Sequence, residues 1–191
     1  MGLKRLVVLA SGRGTTFKAI LDAIEKNELP NAQILALFTD KPDAPALAIA
    51  KHAGVPTHVM APKKESRESY DLRLKNEIHK YQPDFIVLTG FMRLLSEGFV
   101  DSFSGKILNI HPSLLPNFPG MHAQRQALKA GAKVTGCTVH YVTAKMDDGP
   151  IIAQSSLNIL PDDTEATLST RLLPIEHATY LKALKILCSK D

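Results

Sequence analysis

Short apolar runs rich in β-branched residues alternate with longer amphipathic segments through the first two thirds of the chain. The apolar runs predict buried strands at Leu6–Ala10, Gln33–Phe38, Phe85–Leu88 and Lys106–Ile110, with a shorter strand at Thr57–Val59. The segments between them predict helices at Thr15–Lys26, Ala44–Ala53, Ser66–Lys80 and Ser96–Phe103. Alternating strands and helices require parallel strands joined by right-handed crossovers. The pattern therefore predicts a mostly parallel sheet flanked by helices.

The pattern changes after a short predicted helix at Ala123–Ala130. Two strand-like runs, Val134–Val142 and Ile151–Leu160, are joined by a turn-rich loop and predict an antiparallel extension of the sheet. The last segment, Glu165–Cys188, has helical periodicity, but it contains Pro174, so we expect a kink or a break there. The predicted fold class is thus α/β and Rossmann-like, with an antiparallel C-terminal extension.

Composition narrows the class of protein. The chain has 191 residues, 45% hydrophobic and 22% charged, which is typical of a globular protein, and we expect one domain over residues 1–191. No apolar run approaches the roughly 20 residues of a membrane span, and no signal-peptide pattern opens the chain, so we expect a cytoplasmic protein without membrane contact. The net charge of +4 comes from dispersed residues, which argues against nucleic-acid binding.

Asn109 and His111 stand at alternate positions at the end of a predicted strand. Alternate strand residues point to the same side, so an amide and an imidazole can address one substrate atom. Pro112 follows without an N–H group, which ends the sheet and leaves the pair at its rim. Ligands of open α/β sheets bind at that rim, and imidazole suits general acid–base catalysis near neutral pH. The alternative is that His111 is only a structural hydrogen-bonding residue.

Asp147 and Asp148 are candidate partners for the imidazole, because a nearby carboxylate favours its charged form. The alternative is that the Asp-Asp-Gly-Pro segment only forms a turn. His122 and His140 match no compact metal-ligand spacing, and Cys137 and Cys188 lie far apart, so we expect neither a metal site nor a disulfide.

A glycine-containing segment, Ser11-Gly12-Arg13-Gly14-Thr15-Thr16, connects the first predicted strand to the first helix. Its glycines permit a tight turn, and a helix N-terminus offers unpaired N–H groups to an anion. The segment lacks the lysine of a Walker A loop and the third glycine of the dinucleotide motif. It therefore predicts a phosphate cradle without ATP or NAD binding, or else a plain turn.

These segments resemble the folate-dependent formyltransferases. The resemblance covers nearly the whole chain and includes Gly90-Phe91-Met92-Arg93-Leu94-Leu95, Asn109-Ile110-His111-Pro112-Ser113-Leu114-Leu115-Pro116 and Asp147-Asp148-Gly149-Pro150. It is strongest to the glycinamide ribonucleotide transformylases of purine biosynthesis. The resemblance implies 10-formyltetrahydrofolate as co-substrate, glycinamide ribonucleotide as acceptor and no metal.

The resemblance also assigns roles to individual residues. The catalytic residues fall on Asn109, His111 and Asp147, where the Asn and the protonated His would stabilise a tetrahedral intermediate. The phosphate and ribonucleotide residues fall on Gly14, Thr15, Thr16 and Glu176. The folate residues fall on Arg67, Met92, Arg93, Leu94 and Leu95, together with Asn109.

Other interpretations stay open at this point. Methionyl-tRNA formyltransferases and formyltetrahydrofolate hydrolases resemble this chain, but each normally carries a second domain, for which we expect no room in 191 residues. A sugar-phosphate binding module without catalysis is a further alternative, because a fold does not determine a function. We expect a monomer or a homodimer.

Overall fold

The computed structural model describes residues 2–189, which form a seven-stranded sheet with helices on both faces. The strands are β1 (Lys4–Leu9), β2 (Ala32–Thr39), β3 (Thr57–Val59), β4 (Phe85–Leu88), β5 (Ile107–His111), β6 (Val134–Tyr141) and β7 (Ile151–Asn158). The helices are α1 (Thr15–Glu25), α2 (Ala46–His52), α3 (Arg67–His79), α4 (Glu97–Ser102), α5 (Ala123–Lys129) and α6 (Glu165–Cys188).

The strand order is β3-β2-β1-β4-β5-β6-β7. Pairing is parallel from β3 through β5, whereas β6 runs antiparallel to β5, and β7 antiparallel to β6. This topology confirms the predicted fold class. After β1 the chain first builds outward through β2 and β3 and then returns to place β4 on the other side of β1. The reversal opens a crevice at the carboxyl ends of β1 and β4, which is where ligands bind in such sheets.

Side-chain alternation along β1 divides the core into two layers. Leu6 and Val8 are fully buried beneath α1 and α6, whereas Val7 and Leu9 are fully buried on the opposite face, beneath α3 and α4. A central strand with both faces covered has an apolar run instead of an alternating one. This burial explains why the first predicted strand was uniformly hydrophobic.

Helix α6 is continuous through Pro174, so of the two expected outcomes, a kink or a break, the break is wrong. Proline lacks the N–H that would bond to the Thr170 carbonyl, and both residues are exposed, so that carbonyl is accessible to solvent. On the other face, buried residues such as Leu172 and Tyr180 hold the helix to the sheet. The Tyr180 hydroxyl lies 3.1 Å and 3.0 Å from the carbonyl oxygens of Leu88 and Leu108. No helix within residues 2–189 combines the length and the hydropathy needed to cross a bilayer.

Candidate active site

Strand β5 passes through both Asn109 and His111, one residue beyond the predicted strand end at Ile110. The His111 side chain is buried and Asn109 is half-buried. Pro112 begins a loop that leads from β5 to α5, so the two polar side chains lie at the carboxyl end of the strand. The rim position expected from the sequence is therefore confirmed.

His111 is held between two oxygen acceptors. Its Nδ1 lies 3.3 Å from Oδ2 of Asp147, and its Nε2 lies 2.9 Å from the carbonyl oxygen of Phe118. A ring with a proton on each nitrogen therefore has an acceptor for both of its N–H groups. Asp147 Oδ2 also accepts a hydrogen bond of 2.8 Å from the Gly120 amide, which fixes the carboxylate.

The loop between β6 and β7 thus reaches His111, and it does so with Asp147 rather than Asp148. Asp147 has a left-handed backbone with φ of 52°, which turns its carboxylate toward His111. Asp148 points away from the site and pairs with exposed Lys145 at 2.9 Å. Residue chemistry alone left these two carboxylates as equal candidates, whereas the family resemblance selected Asp147, which is the one that the structure brings to His111.

His140 is a further residue of the site that sequence reasoning considered only as a metal ligand. It pairs with Asn109 in the β5–β6 register, and its Nε2 lies 3.7 Å from Oδ1 of Asp147. Its Nδ1 lies 2.9 Å from the Tyr141 carbonyl oxygen. Burial lowers the pKa of His140, against opposing contributions from the Tyr141 carbonyl and Asp147. A neutral ring that donates from Nδ1 to Tyr141 leaves Nε2 as an acceptor facing the site.

A cavity of about 230 Å³ lies on one side of this cluster. Asn109, His140 and Asp147 form its polar wall. The remainder is largely apolar and includes Phe91, Leu94, Leu95, Val100, Val142 and Met146. Arg93 also lines the cavity, and its guanidinium carbon lies 3.9 Å from the centre of the Tyr70 ring, in a cation–π contact. Three of the residues expected around folate therefore line one cavity with Asn109: Arg93, Leu94 and Leu95.

Two other residues expected around folate lie elsewhere. Met92 is 77% exposed, and its backbone N–H donates to the Ser11 hydroxyl at 2.9 Å, beside the phosphate loop. Arg67 begins α3 and lines a separate cavity with Asp71 and Ser96. The structure thus does not bring these two side chains into the cavity lined by Asn109.

A second cavity, of about 370 Å³, lies at the crevice between β1 and β4. It is lined by the loop 11–16, by Ile110 and Pro112 of the β5 end, and by Glu176 of α6. The positions expected to hold the ribonucleotide, Gly14, Thr15, Thr16 and Glu176, therefore share one cavity. The loop leads directly into the N-terminus of α1, whose 11 residues supply a positive dipole end and unpaired amides.

Gly14 sets the shape of this loop. Its φ of 71° lies in the left-handed region, and a Cβ at this position would lie 2.7 Å from the Cβ of Ala46 in α2. Both the backbone conformation and the close approach of α2 therefore require glycine.

Gly14→Ala is expected to lower the free energy of unfolding by about 2 kcal/mol, since alanine is strained here both in φ and against Ala46. Urea unfolding followed by circular dichroism measures the change. Gly12→Ala is the matched control, because nothing lies within 4 Å of a Cβ added at Gly12. Equal unfolding free energies for the two variants would contradict the requirement for glycine at position 14.

Glu176 is the acidic residue of the second cavity. Burial raises the pKa of its carboxyl group to about 7 from an ordinary value of 4.5. A ligand that donates a hydrogen bond to this partly buried group would therefore stabilise its carboxylate form.

The raised pKa predicts how Glu176 affects stability. A carboxyl whose pKa is higher in the folded than in the unfolded state destabilises the fold as pH rises from 4.5 to about 7, because its ionisation costs more when folded. Glu176→Gln should therefore be more stable than the parent at pH 8 by about 2 kcal/mol, with no gain at pH 4. Urea unfolding at the two pH values measures this difference. Glu25→Gln, at an exposed position, is the control, and an identical pH dependence in Glu176→Gln and the parent would contradict the prediction.

Within residues 2–189, no group of three or more His, Cys, Asp or Glu side chains is arranged to hold a metal ion. The two cysteines are buried free thiols, and burial raises the pKa of Cys137 and of Cys188 to about 11.

The fold and the site define an α/β protein in which polar side chains at the end of a central strand lie beside two cavities. The family described as Formyl transferase matches residues 4–184. The chain belongs to the formyl transferase family. That membership is consistent with the motifs that suggested the resemblance from sequence.

Individual relatives agree with this assignment. The phosphoribosylglycinamide formyltransferase of Escherichia coli strain K12 is 45% identical over 176 residues, covering 92% of this chain and 82% of the relative. The trifunctional purine biosynthetic protein adenosine-3 of Drosophila melanogaster is 43% identical over 186 residues, covering 96% of this chain and 14% of the relative. The crystal structure of glycinamide ribonucleotide transformylase 1 from Symbiobacterium toebii matches with a TM-score of 0.93 at 42% identity, covering 97% of this chain and 88% of that one.

Proposed function

We propose that the chain is a cytoplasmic enzyme of purine biosynthesis that transfers a formyl group from 10-formyltetrahydrofolate to the primary amine of 5-phosphoribosylglycinamide. The arrangement that carries this proposal is the position of β5 between two unlike cavities. Ile110 and Pro112 line the cavity of the phosphate loop, whereas Asn109 lines the apolar cavity. One cavity suits a sugar phosphate, and the other suits a flat, largely apolar ring system with polar edges.

The larger cavity is proposed to hold the ribonucleotide. Backbone amides at the start of α1 would bind the phosphate, with Gly14, Thr15 and Thr16 closest to it. Glu176 lies across the same cavity and would accept hydrogen bonds from the rest of the substrate. This orientation directs the glycinamide amine toward the end of β5.

The smaller cavity is proposed to hold the folate. Leu94 and Leu95 would pack against the pteridine ring, and Arg93 would supply a cation for a carboxylate of the glutamate tail. Arg67 and the backbone of Met92 would contribute only at the edges of the bound molecule, because neither side chain lines this cavity.

Chemistry then takes place between Asn109 and His111. The neutral amine attacks the formyl carbon, and the carbonyl oxygen becomes an oxyanion. The Asn109 amide would donate a hydrogen bond to that oxygen. The Nε2–H of His111 would do the same once the oxyanion replaces the Phe118 carbonyl as its acceptor. When the intermediate collapses, the bond from carbon to N10 breaks, the former amine loses a proton and N10 gains one, directly from His111 or through water.

Asp147 is proposed to orient His111 and to stabilise the imidazolium that takes part in the reaction. Its Oδ2 lies 3.3 Å from Nδ1 of His111 and is itself fixed by the Gly120 amide. A charged ring is the stronger donor to a developing oxyanion, so the carboxylate supports catalysis without contacting the reacting atoms.

The test is an absorbance assay for loss of the formyl group from 10-formyltetrahydrofolate, with and without glycinamide ribonucleotide. Turnover that requires the ribonucleotide and yields the formylated amine is expected. Release of formate at the same rate without ribonucleotide would identify a hydrolase instead. Binding of the ribonucleotide with no turnover would identify a binding module, and either result would overturn the proposal.

A further inference from the structure

The loop that follows His111 is held to the outer strands of the sheet by a buried network. Thr138 of β6 is fully buried, and its hydroxyl donates to the Ser113 carbonyl oxygen at 2.7 Å. The same hydroxyl oxygen accepts a hydrogen bond of 3.0 Å from the Leu115 amide. One side chain thus binds the loop backbone at two positions, two residues apart.

Gln154 of β7 completes this network from the edge of the sheet. Its Nε2 donates to the Leu115 carbonyl oxygen at 2.9 Å and to the Thr138 hydroxyl oxygen at 2.8 Å. The amide nitrogen has two N–H groups, and each has an acceptor. The Thr138 hydroxyl has one donated and two accepted hydrogen bonds, so its capacity is also filled. Together the partly buried Gln154 amide and the buried Thr138 hydroxyl hold the backbone at Ser113 and Leu115 in position.

The held segment continues to the imidazole. The Asn117 amide donates to the Leu114 carbonyl at 3.0 Å, and the Ser113 hydroxyl donates to the Asn117 carbonyl at 2.5 Å. The next carbonyl along the chain, that of Phe118, lies 2.9 Å from Nε2 of His111. Hydrogen bonds therefore connect Gln154 to the acceptor that orients His111, through a loop of only a few residues.

We propose that Gln154 is a positioning residue for His111, acting through Thr138 and the loop that carries the Phe118 carbonyl. The inference rests on the proposed function, because it assigns Gln154 an effect on the formyl-transfer step. Gln154 lies outside both cavities and does not contact the reacting atoms. Its removal should disturb His111 while leaving both substrate-binding surfaces in place.

The experiment compares the full-length protein with Gln154→Met, which keeps an unbranched side chain and loses both N–H donors. We expect kcat to fall about tenfold, as misplacement of a reacting group predicts, with each KM unchanged within about twofold. The ¹⁵N resonances of the His111 ring should shift in the same variant. Ser156→Ala is the matched control, because Ser156 lies two residues along β7 and is exposed.

Thr138 provides an independent route to the same result. Thr138→Ser keeps the hydroxyl and should retain the kcat of the parent. Thr138→Val removes the hydroxyl and should lower kcat by as much as Gln154→Met does. In the double variant Gln154→Met with Thr138→Val, the losses should not add, because both substitutions open one network. Gln154→Glu, which keeps the shape but places an acceptor against the Leu115 carbonyl, replaces the methionine variant if the latter does not fold.

The outcomes separate this inference from the proposed function. An active parent whose Gln154→Met variant keeps both kcat and the His111 resonances would overturn the positioning role. A raised KM with unchanged kcat would overturn it as well, since the network would then shape substrate binding. If the parent itself transfers no formyl group, the proposed function fails. The His111 resonances of the parent and of Gln154→Met would then still show whether Gln154 determines the position of the His111 ring.

Discussion

Replacing His111 with alanine is expected to lower kcat for formyl transfer by about a thousandfold, the range that a positioned general acid contributes. Asp147 and the Phe118 carbonyl hold the imidazole on both sides, so its loss would remove the proposed N–H donor and the proposed proton carrier together. Steady-state kinetics with both substrates saturating measure the loss. Circular dichroism and urea unfolding show whether the variant keeps the fold.

His122→Ala is the matched control for this substitution. His122 belongs to the same connection between β5 and α5, but its side chain is about half exposed and lies 3.4 Å from Glu165 instead of Asp147. Its kcat should stay within about twofold of the parent, as expected for a surface position. A His111→Ala enzyme as active as His122→Ala would remove the imidazole from the mechanism.

Asn109→Ala is expected to reduce kcat about a hundredfold or more, which corresponds to about 3 kcal/mol of transition-state stabilisation from one preorganised donor. Asn109 lines the apolar cavity beside Asp147, where the formyl oxygen of a bound folate would develop its charge. The reduction should appear in kcat and kcat/KM alike, because the amide interacts more strongly with the oxyanion than with the ground-state carbonyl. Single-turnover rates measured with bound folate report this step directly.

Asn117→Ala is a suitable comparison, since the Asn117 side chain is exposed and only its backbone takes part in the loop. Asn109→Asp adds a second test, because it keeps the shape of the side chain and removes the amide donor. Unchanged single-turnover rates in both Asn109 variants would exclude the amide as an oxyanion donor.

The fold was largely predictable because its signals are local. Buried parallel strands such as Phe85–Leu88 have continuous apolar sequences, and the short edge strand Thr57–Val59 was found at its observed bounds. The break predicted at Pro174 is absent. Helix α6 is held by packing against the sheet, and proline removes only one backbone hydrogen bond, at an exposed position. Tertiary packing of this kind has no signature within the helix itself.

The candidate site was less predictable because its contacts join distant segments. Asn109 and His111 share a strand, so their common side follows from alternation. The approach of Asp147, in contrast, depends on the left-handed backbone at that residue, and the contact of His140 depends on the β5–β6 register. Neither is encoded in a short motif. A histidine that pairs opposite Asn109 could have been found only by aligning the two strands.

Oxidation of exposed methionines would change the polarity of one cavity more than that of the other. Met92 and Met146 line the two cavities and are 77% and 56% exposed. Cys137 and Cys188 are buried, and their raised pKa keeps them as thiols, which react slowly. Peroxide would thus act first on thioethers, and only at Met146 would the resulting sulfoxide place a polar group in an otherwise apolar wall. The proposed folate cavity is therefore the more sensitive of the two cavities to methionine oxidation, and repair would require a sulfoxide reductase rather than a thiol reductant.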